Sequence, residues 1–468
     1  MADRYFQRRR RREMEDLATV EARLIGAAWT SPDVYANLAQ LCAFGSRFGG
    51  TPSEQQARDW LQSKLSEYGL HEVHLETFTY TGWRRGICQV AMTAPKSVLL
   101  PSAISLVYSP STSPGGLEAV LVDAGMGTEE EFARLPSSVA GKVVLTTSAS
   151  PEGAGVWIHR REKYGRAVAG GAAGFLFANH LPGQLAPTGS LRSGRVAEIP
   201  AAGLSREDGF RLSSAARQGS VQVRMVIQNE TGPAEASHVV GEVPGDPGQE
   251  VIVVGAHYDG HDIAEGAMDN GSGVAVLLEL ARIFAPLAGQ LRRTIRFVCF
   301  AVEELGVLGS TQYVQAHEDE LDEVALMVNL DGGVAGGLGG FFLNGFEELR
   351  PLLQGYIREM RYPLNLLDRI PTAADHFPFV LAGIPSLMSR SRSRSFKEGR
   401  GFGHTAADTL DKVEERDLHE AAMTAARVLL RLAQEPGSLG RRRSRPEVRQ
   451  MLIDHDLEHP LRAQDKWP

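Results

Sequence analysis

Imidazole and carboxylate side chains follow three apolar, β-branched runs of this sequence, each at the point where the run ends. In open parallel sheets, ligands bind outside the carboxyl ends of the strands. If the three runs are strands of one such sheet, these side chains meet at one edge of it. They are His257, Asp259 and Asp269 after the first run, Glu303 and Glu304 after the second, and Asp331 after the third, with His404 in a later loop.

A metal centre would explain why so many acidic groups converge. Buried carboxylates at one end of a sheet repel one another strongly, and a divalent cation removes that cost. Neutral imidazole together with carboxylate suits zinc, with cobalt or manganese as alternatives. Five ligands with one shared carboxylate make a two-metal site, and such sites activate a water molecule. The pattern therefore predicts a two-metal centre.

The adjacent pair Glu303–Glu304 is the most informative part of this pattern. Two neighbouring residues that leave a strand point in different directions. One glutamate can therefore bind metal while the other faces the bridging water as a base. Taken alone, the pair would be interpreted as two solvated glutamates at a strand end. The matching positions at the other loops favour the catalytic interpretation.

The elements that must position these groups alternate between strands and helices. Strands are predicted at 251–254, 294–301 and 323–330, and helices at 274–284 and 310–318 separate them. This alternation is typical of βαβ units. It predicts an α/β fold in which a mostly parallel, mixed central sheet is flanked by helices.

The remaining chain divides by composition. Residues 94–234 contain short β-type runs punctuated by Pro and Gly, which predicts a separate, inserted β-rich domain. The α/β domain is therefore discontinuous and is expected at 31–93 and 235–435. A charged extension at 1–30 precedes it, and a polar tail with one short helix follows at 436–468.

Overall charge and composition exclude some classes of protein. The chain has 468 residues, is 43% hydrophobic and carries a formal net charge of -8, as expected of a globular protein with two or three domains. A nucleic-acid binder would carry a basic face, so no nucleic-acid partner is expected. The run Arg8–Arg12 could touch anionic lipid or nucleic acid, but a solvated charged end is the expected role.

Cysteine usage and hydropathy bear on location. Cys42, Cys88 and Cys299 are too widely spaced for a disulfide framework or a cysteine metal site, which indicates a reducing compartment. No apolar core of a signal peptide follows the arginine run, and we find no apolar run of about 18 residues that could span a membrane. We therefore expect a cytoplasmic protein without a membrane span.

The motifs resemble those of a known family, the di-zinc exopeptidases that include bacterial aminopeptidases, glutamate carboxypeptidase and the catalytically inactive transferrin receptor. The similarity extends over about residues 38–433, and the inserted segment is similar to the protease-associated domain that many members carry. The motifs are His257-Tyr258-Asp259, Gly266 to Gly273, Glu303-Glu304, Asn329-Leu330-Asp331 and His404-Thr405, with Gly45-Ser46-Arg47 and Asp375-His376-Phe377 as further segments.

The resemblance implies a zinc exopeptidase fold of the phosphorylase/hydrolase type and assigns the ligands of two zinc ions. Asp269 would bridge both ions. His257 and Asp331 would complete one ion, and Glu304 and His404 would complete the other. The substrate would be a peptide whose terminal bond is hydrolysed.

The resemblance also implies the catalytic roles. Glu303 would be the general base that takes a proton from the bridging water and passes it to the leaving amine. Asp259 would hydrogen-bond the outer nitrogen of His257 and hold its tautomer. Asp408 would do the same for His404.

Residues that could choose the substrate are less defined. His376 is a candidate for lining the pocket, with a packed structural role as the alternative. Arg390, Arg392 and Arg394 belong to a basic loop that could hold a substrate carboxylate, with a solvated loop as the alternative. His261 competes with the assigned histidines as a ligand.

We expect a metal-dependent exopeptidase, and specifically an aminopeptidase. A carboxypeptidase or dipeptidase of the same family is the alternative within enzymes. A non-catalytic binding protein of the transferrin-receptor type is an alternative of another class, but its ligand positions should be eroded. Cyclisation of N-terminal glutamine by a one-zinc relative is disfavoured by the complete two-metal ligand set. The preferred side chain and the oligomeric state stay open.

Overall fold

The computed structural model describes the chain except for five segments. The N-terminal run Arg8–Arg12 and Arg394 lie outside the described residues, so the predictions made for them stay predictions. The segments left out are 1–15, 136–137, 152–156, residue 333 and 393–400.

The described residues form two eight-stranded sheets and the helices around them. The strands are β1 (His71–Arg84), β2 (Cys88–Ala94), β3 (Val98–Leu99), β4 (Ile104–Ser105), β5 (Leu117–Asp123), β6 (Val143–Thr147), β7 (Gly174–Ala178), β8 (Ala201–Leu204), β9 (Gln222–Ile227), β10 (Glu230–Val243), β11 (Val251–His257), β12 (Thr294–Phe300), β13 (Val324–Asn329), β14 (Leu338–Phe342), β15 (Asn365–Leu367) and β16 (Ser386–Ser391).

The α-helices cover both faces of the larger sheet and one part of the smaller one. They are α1 (Leu17–Trp29), α2 (Asp33–Ala43), α3 (Pro52–Glu67), α4 (Glu129–Ala133), α5 (Arg160–Ala169), α6 (Arg206–Ala216), α7 (Ser272–Phe284), α8 (Leu308–Ala316), α9 (Arg350–Met360), α10 (His376–Leu381), α11 (Glu415–Gln434), α12 (Arg445–Asp454) and α13 (Glu458–Ala463).

The larger sheet has the strand order β1-β10-β12-β11-β13-β16-β14-β15. Its four central strands, β12, β11, β13 and β16, run parallel. The pairs β1–β10, β10–β12 and β14–β16 are antiparallel. The predicted α/β fold with a mostly parallel, mixed sheet is therefore confirmed.

The register of the central strands brings the predicted site together. β11 lies between β12 and β13, with His257 opposite Phe300 and Gly255 opposite Asn329. Every residue of β11 is buried, because helices cover both faces of the sheet. The loops that follow these three strands therefore start from the same edge.

The apolar helix that follows β11 is part of the core. The stretch Ala267–Leu287 is long and apolar enough to cross a membrane by composition, but 83% of its apolar 18-residue window is buried inside the fold. It includes α7, in which all but one residue is buried. Its hydropathy is explained by packing against the sheet.

The second half of the charged extension is helical and packed. Leu24 and Ala28 of α1 are buried. Glu21 accepts hydrogen bonds from Arg427 at 2.6 Å and from Arg431 at 2.9 Å, both on α11. This part of the predicted extension is therefore an amphipathic helix that packs against α11.

The smaller sheet forms the inserted domain, with the order β3-β2-β9-β5-β6-β7-β8-β4. Its strands start at Cys88, before the predicted start of the domain at residue 94. They end at Ile227, before the predicted end at residue 234. The difference arises because β1 and β10 stay paired within the larger sheet as far as Arg84 and Glu230.

The segment 436–468 contains the predicted short helix, but it packs against the fold and is not the polar tail that was predicted. It folds back as α12 and α13, and Leu439, Val448 and Leu461 are buried. The Ser444 and Glu447 side chains form a capping box at the start of α12. Few apolar residues suffice here, because the segment packs against surfaces that distant parts of the chain already provide.

Candidate metal centre and active site

Asp269 lies between two groups of ligands. Its Oδ1 is 3.4 Å from His257 Nε2, and its Oδ2 is 3.3 Å from His404 Nε2. Asp331 Oδ1 lies 3.8 Å from His257 Nε2. Glu304 Oε2 lies 3.2 Å from His404 Nε2. Two ligands of one tetrahedral zinc ion are separated by about 3.3 Å, so these distances fit donors that converge on two shared points.

The charges of the site are unbalanced without a cation. Five carboxylates, no more than 8% exposed, face three imidazoles. Burial works to lower the pKa of His257, but the facing carboxylates of Asp259, Asp269 and Asp331 raise it well above its ordinary value. Glu304 Oε1 is buried and has no hydrogen-bond partner in the described part of the chain. The donor set therefore fits a divalent metal such as zinc.

Asp259 supports the site in a different way from the one predicted. Its carboxylate accepts hydrogen bonds from the backbone N–H groups of Glu303 at 3.0 Å and Glu304 at 3.1 Å. The Nδ1 of His257 lies 3.1 Å from the carbonyl oxygen of Asp259 and 3.6 Å from its carboxylate. The backbone carbonyl is therefore the partner of the imidazole, and the carboxylate orients the glutamate pair.

Asp408 and His404 are likewise held by partners that the motifs did not indicate. The carboxylate of Asp408 accepts hydrogen bonds from the N–H groups of Met268 at 2.7 Å and Asp269 at 3.1 Å. The Nδ1 of His404 lies 3.2 Å from the carbonyl oxygen of Thr188, a residue of the inserted domain. Asp408 therefore positions the Asp269 loop, and the inserted domain contacts a predicted metal ligand.

Arg47 fixes the path of the loop between His257 and Asp269. Its fully buried guanidinium donates to the carbonyl oxygens of Tyr258 at 2.7 Å, Glu265 at 2.6 Å and Gly266 at 2.9 Å. The Gly45-Ser46-Arg47 motif carried the resemblance, but nothing in the sequence indicated this role. A guanidinium with several carbonyl partners holds the loop in one conformation.

Family models match both parts of this architecture. The model described as peptidase family M28 matches residues 238–429, and the PA domain model matches residues 104–212. The domain at residues 238–429 belongs to peptidase family M28. The chain is a metallo-exopeptidase with an inserted PA domain, as the resemblance implied.

Relatives of this M28 chain include both kinds of exopeptidase. It is 27% identical over 403 residues to aminopeptidase YwaD of Bacillus subtilis (strain 168), covering 84% of this chain and 83% of that protein. It is 26% identical over 403 residues to carboxypeptidase Q of Homo sapiens, covering 83% and 82%. The solved structure of a peptidase M28 precursor from Shewanella amazonensis SB2B is 25% identical, with a TM-score of 0.77 and coverage of 92% and 99%.

A cavity of about 510 Å³ opens beside the predicted metal ligands of the M28 domain. Asp269 and Asp331 line it at the sheet edge. The M28 domain, the PA domain and the C-terminal segment all contribute to its wall. The other lining residues include Phe342, Arg369 and Arg390 of the first, Trp157, His159 and Glu162 of the second, and His455, Leu457 and Gln464 of the third.

The predicted substrate residues divide into three cases. Arg390 lines the cavity, and its side chain makes no ion pair or hydrogen bond with a described residue. Arg392 instead pairs with Glu420 and Tyr362, which corrects its assignment as a substrate residue. His376 is fully buried and does not line the cavity, so the packed structural role applies.

His261 is a functional candidate that the motifs did not assign. Its Nε2 lies 2.8 Å from Glu304 Oε2, and its ring centroid is 4.2 Å from that of His404. The sequence placed an imidazole four residues after His257 but could not tell which way the loop turns it.

Proposed function

We propose that this M28 protein removes residues from the amino terminus of peptides and holds two zinc ions to do so. The observation that carries the proposal is the position of Asp269 between two buried ligand groups, with a second glutamate next to the ligand Glu304. Aminopeptidase YwaD, a relative over most of the chain, supports the choice of the amino terminus.

The residues of the centre have separate tasks. His257 and Asp331 would hold one ion, Glu304 and His404 the other, and Asp269 both. Bound zinc supplies Lewis acidity at the substrate carbonyl and makes a nucleophile available from water at neutral pH.

Glu303 is the proposed general base. It takes a proton from the attacking water and delivers it to the nitrogen of the leaving group. The Glu303 side chain is 8% exposed, and its N–H is held by Asp259. Burial raises the pKa of this carboxyl group, and the neighbouring Glu304 and Asp331 add to the increase although His257 opposes it. The anchored backbone keeps the carboxylate at the sheet edge where the proton transfers take place.

Arg390 favours a second candidate, a carboxypeptidase or dipeptidase. The guanidinium of Arg390 has no partner among the described residues, and its place on the cavity wall suits the terminal carboxylate of a peptide. Carboxypeptidase Q, also a relative over most of the chain, belongs to this class by name.

The two candidates are separated by substrate panels on the wild type and Arg390→Gln. An aminopeptidase cleaves amino-acid amides and anilides, and its kcat/KM changes little in the variant. A carboxypeptidase cleaves N-blocked peptides, and the variant loses on the order of 10- to 100-fold in kcat/KM, because a charge-assisted hydrogen bond is removed. Arg392→Gln, whose side chain pairs elsewhere, is the matched control. Cleavage of N-blocked peptides alone would contradict the aminopeptidase proposal.

We also propose that the protein acts in a reducing compartment, as the cytoplasm is. Cys42, Cys88 and Cys299 are all free thiols. Fractionation of the source cells tests this, and recovery of the protein from the medium would contradict it.

A further inference from the structure

His261 lies inside the cluster rather than beside it. Its side chain is 3% exposed, and its ring is inclined at 77° to the ring of His404. One donor atom from each of His261, Glu304 and His404 lies within 4.8 Å of the others. These three residues form a second group that could hold a metal ion, like the group of His257, Asp269 and Asp331.

The nitrogens of His261 are not otherwise used. Although Nε2 is 2.8 Å from Glu304 Oε2, neither ring nitrogen makes an aligned hydrogen bond with a described residue. A buried polar group that is left without a partner destabilises the fold. A shared cation would satisfy the imidazole and the orphaned Glu304 Oε1 together.

We propose that His261 is a metal ligand, so that the two ions of the proposed function are held unequally. The inner centre then has four protein donors: His261, Glu304, His404 and the shared Asp269. The outer centre has three, from His257, Asp331 and the same Asp269. The contact between His261 and Glu304 lengthens by about half an ångström when both bind one ion.

The cavity supports this division. Asp331 and Asp269 line the large cavity, whereas His261 and Glu304 do not. Zinc sites with four protein donors are closed, and sites with three keep a position for water or substrate. The outer centre is therefore the one that meets the peptide, and the inner centre fills first and exchanges slowly.

The test is X-ray absorption spectroscopy of the full chain loaded with one equivalent of zinc. Multiple scattering from imidazole rings counts the histidines on the metal. We expect two imidazoles on the first zinc of the wild type and one in His261→Gln. If His261 only orients Glu304, the wild type shows one imidazole, and the proposal is overturned.

Stepwise zinc affinity, measured by competition with a chelator, is the second readout. His261→Gln should weaken the first step by on the order of 100-fold and leave the second nearly unchanged. His71→Gln, which removes an exposed imidazole of β1, should change neither step. Two zinc ions with one imidazole each would overturn this inference alone, whereas a wild type that binds no zinc would overturn the two-zinc proposal as well.

Discussion

Glu303 and Glu304 are adjacent in sequence but face different partners. Burial works to raise the pKa of Glu304, but the imidazoles of His261 and His404, which it faces, lower it overall. Glu303 lies on the side of His257 and Asp331. The strand end therefore separates the proposed metal ligand from the proposed base, although the two residues are adjacent.

Glu303→Gln tests the base. The variant should keep its metal, because the ligands are untouched, and lose about 10²- to 10⁴-fold in kcat, since a positioned base contributes that much. Steady-state kinetics and metal content measure the two effects, and exposed Glu318→Gln is the control. Near wild-type turnover would remove Glu303 from the mechanism.

Asp269→Ala tests the shared ligand. Both centres lose a donor, so zinc affinity should fall at both steps, and activity should be lost with it. Stepwise zinc affinity, measured by competition with a chelator, tests this, with exposed Asp319→Ala as the control. An unchanged affinity at one of the two steps would show that Asp269 serves a single centre.

Among the secondary-structure elements, β10 carries a buried histidine outside the metal centre. His238 stacks on Phe78 with ring centroids 4.8 Å apart and meets the edges of Phe300 and Tyr313. Burial, with a smaller contribution from His317, lowers the pKa of His238 to about 4 although Glu76 opposes the decrease. The neutral ring is thus part of the junction between β10 and β12.

This histidine makes the fold sensitive to acid. Between the ordinary pKa of about 6.5 and the folded value of about 4, the unfolded chain binds a proton that the folded chain does not. Stability is therefore complete above about pH 6.5 and falls as the pH decreases, by about 2 kcal/mol at pH 5. Urea unfolding at pH 7.5 and pH 5 should show a smaller decrease for His238→Gln, while exposed His459→Gln behaves as the wild type does. Equal pH dependence in all three proteins would contradict this assignment.

In the whole molecule, three separate parts of the chain enclose one cavity. Arg192 of the PA domain donates to the carbonyl oxygen of Ala463 at 3.2 Å. Gly165 of α5 approaches the same carbonyl so closely that an added Cβ would overlap it. The contact between α5 and α13 therefore holds the C-terminal part of the cavity wall.

Gly165→Ala tests this contact. Although alanine favours helix, the overlap with Ala463 should push α13 away and loosen Leu457 and Gln464 on the cavity wall. We expect faster hydrogen exchange over 457–466 and a kcat/KM reduced on the order of tenfold. Gly219→Ala, where a Cβ meets open space, is the matched control. Unchanged exchange in Gly165→Ala would mean that the segment is held by other contacts.

The sequence by itself determined the sheet and most of the predicted centre. Strand and helix periodicity is local, and parallel strands deliver their carboxyl ends to one edge, so His257, Glu303, Glu304 and Asp331 could be placed together without a structure. Asp269 was placed on the loop after β11 by the order of the motifs that carry the family resemblance.

Only the tertiary structure decided where the long side chains and loops point. Arg392 meets Glu420 of α11, whereas Arg390 meets the cavity. His261 faces Glu304 because Arg47, far away in sequence, fixes the loop that carries it. The C-terminal segment looks polar in sequence but becomes a cavity wall against α5. These outcomes depend on contacts between residues up to several hundred positions apart, which no local pattern encodes.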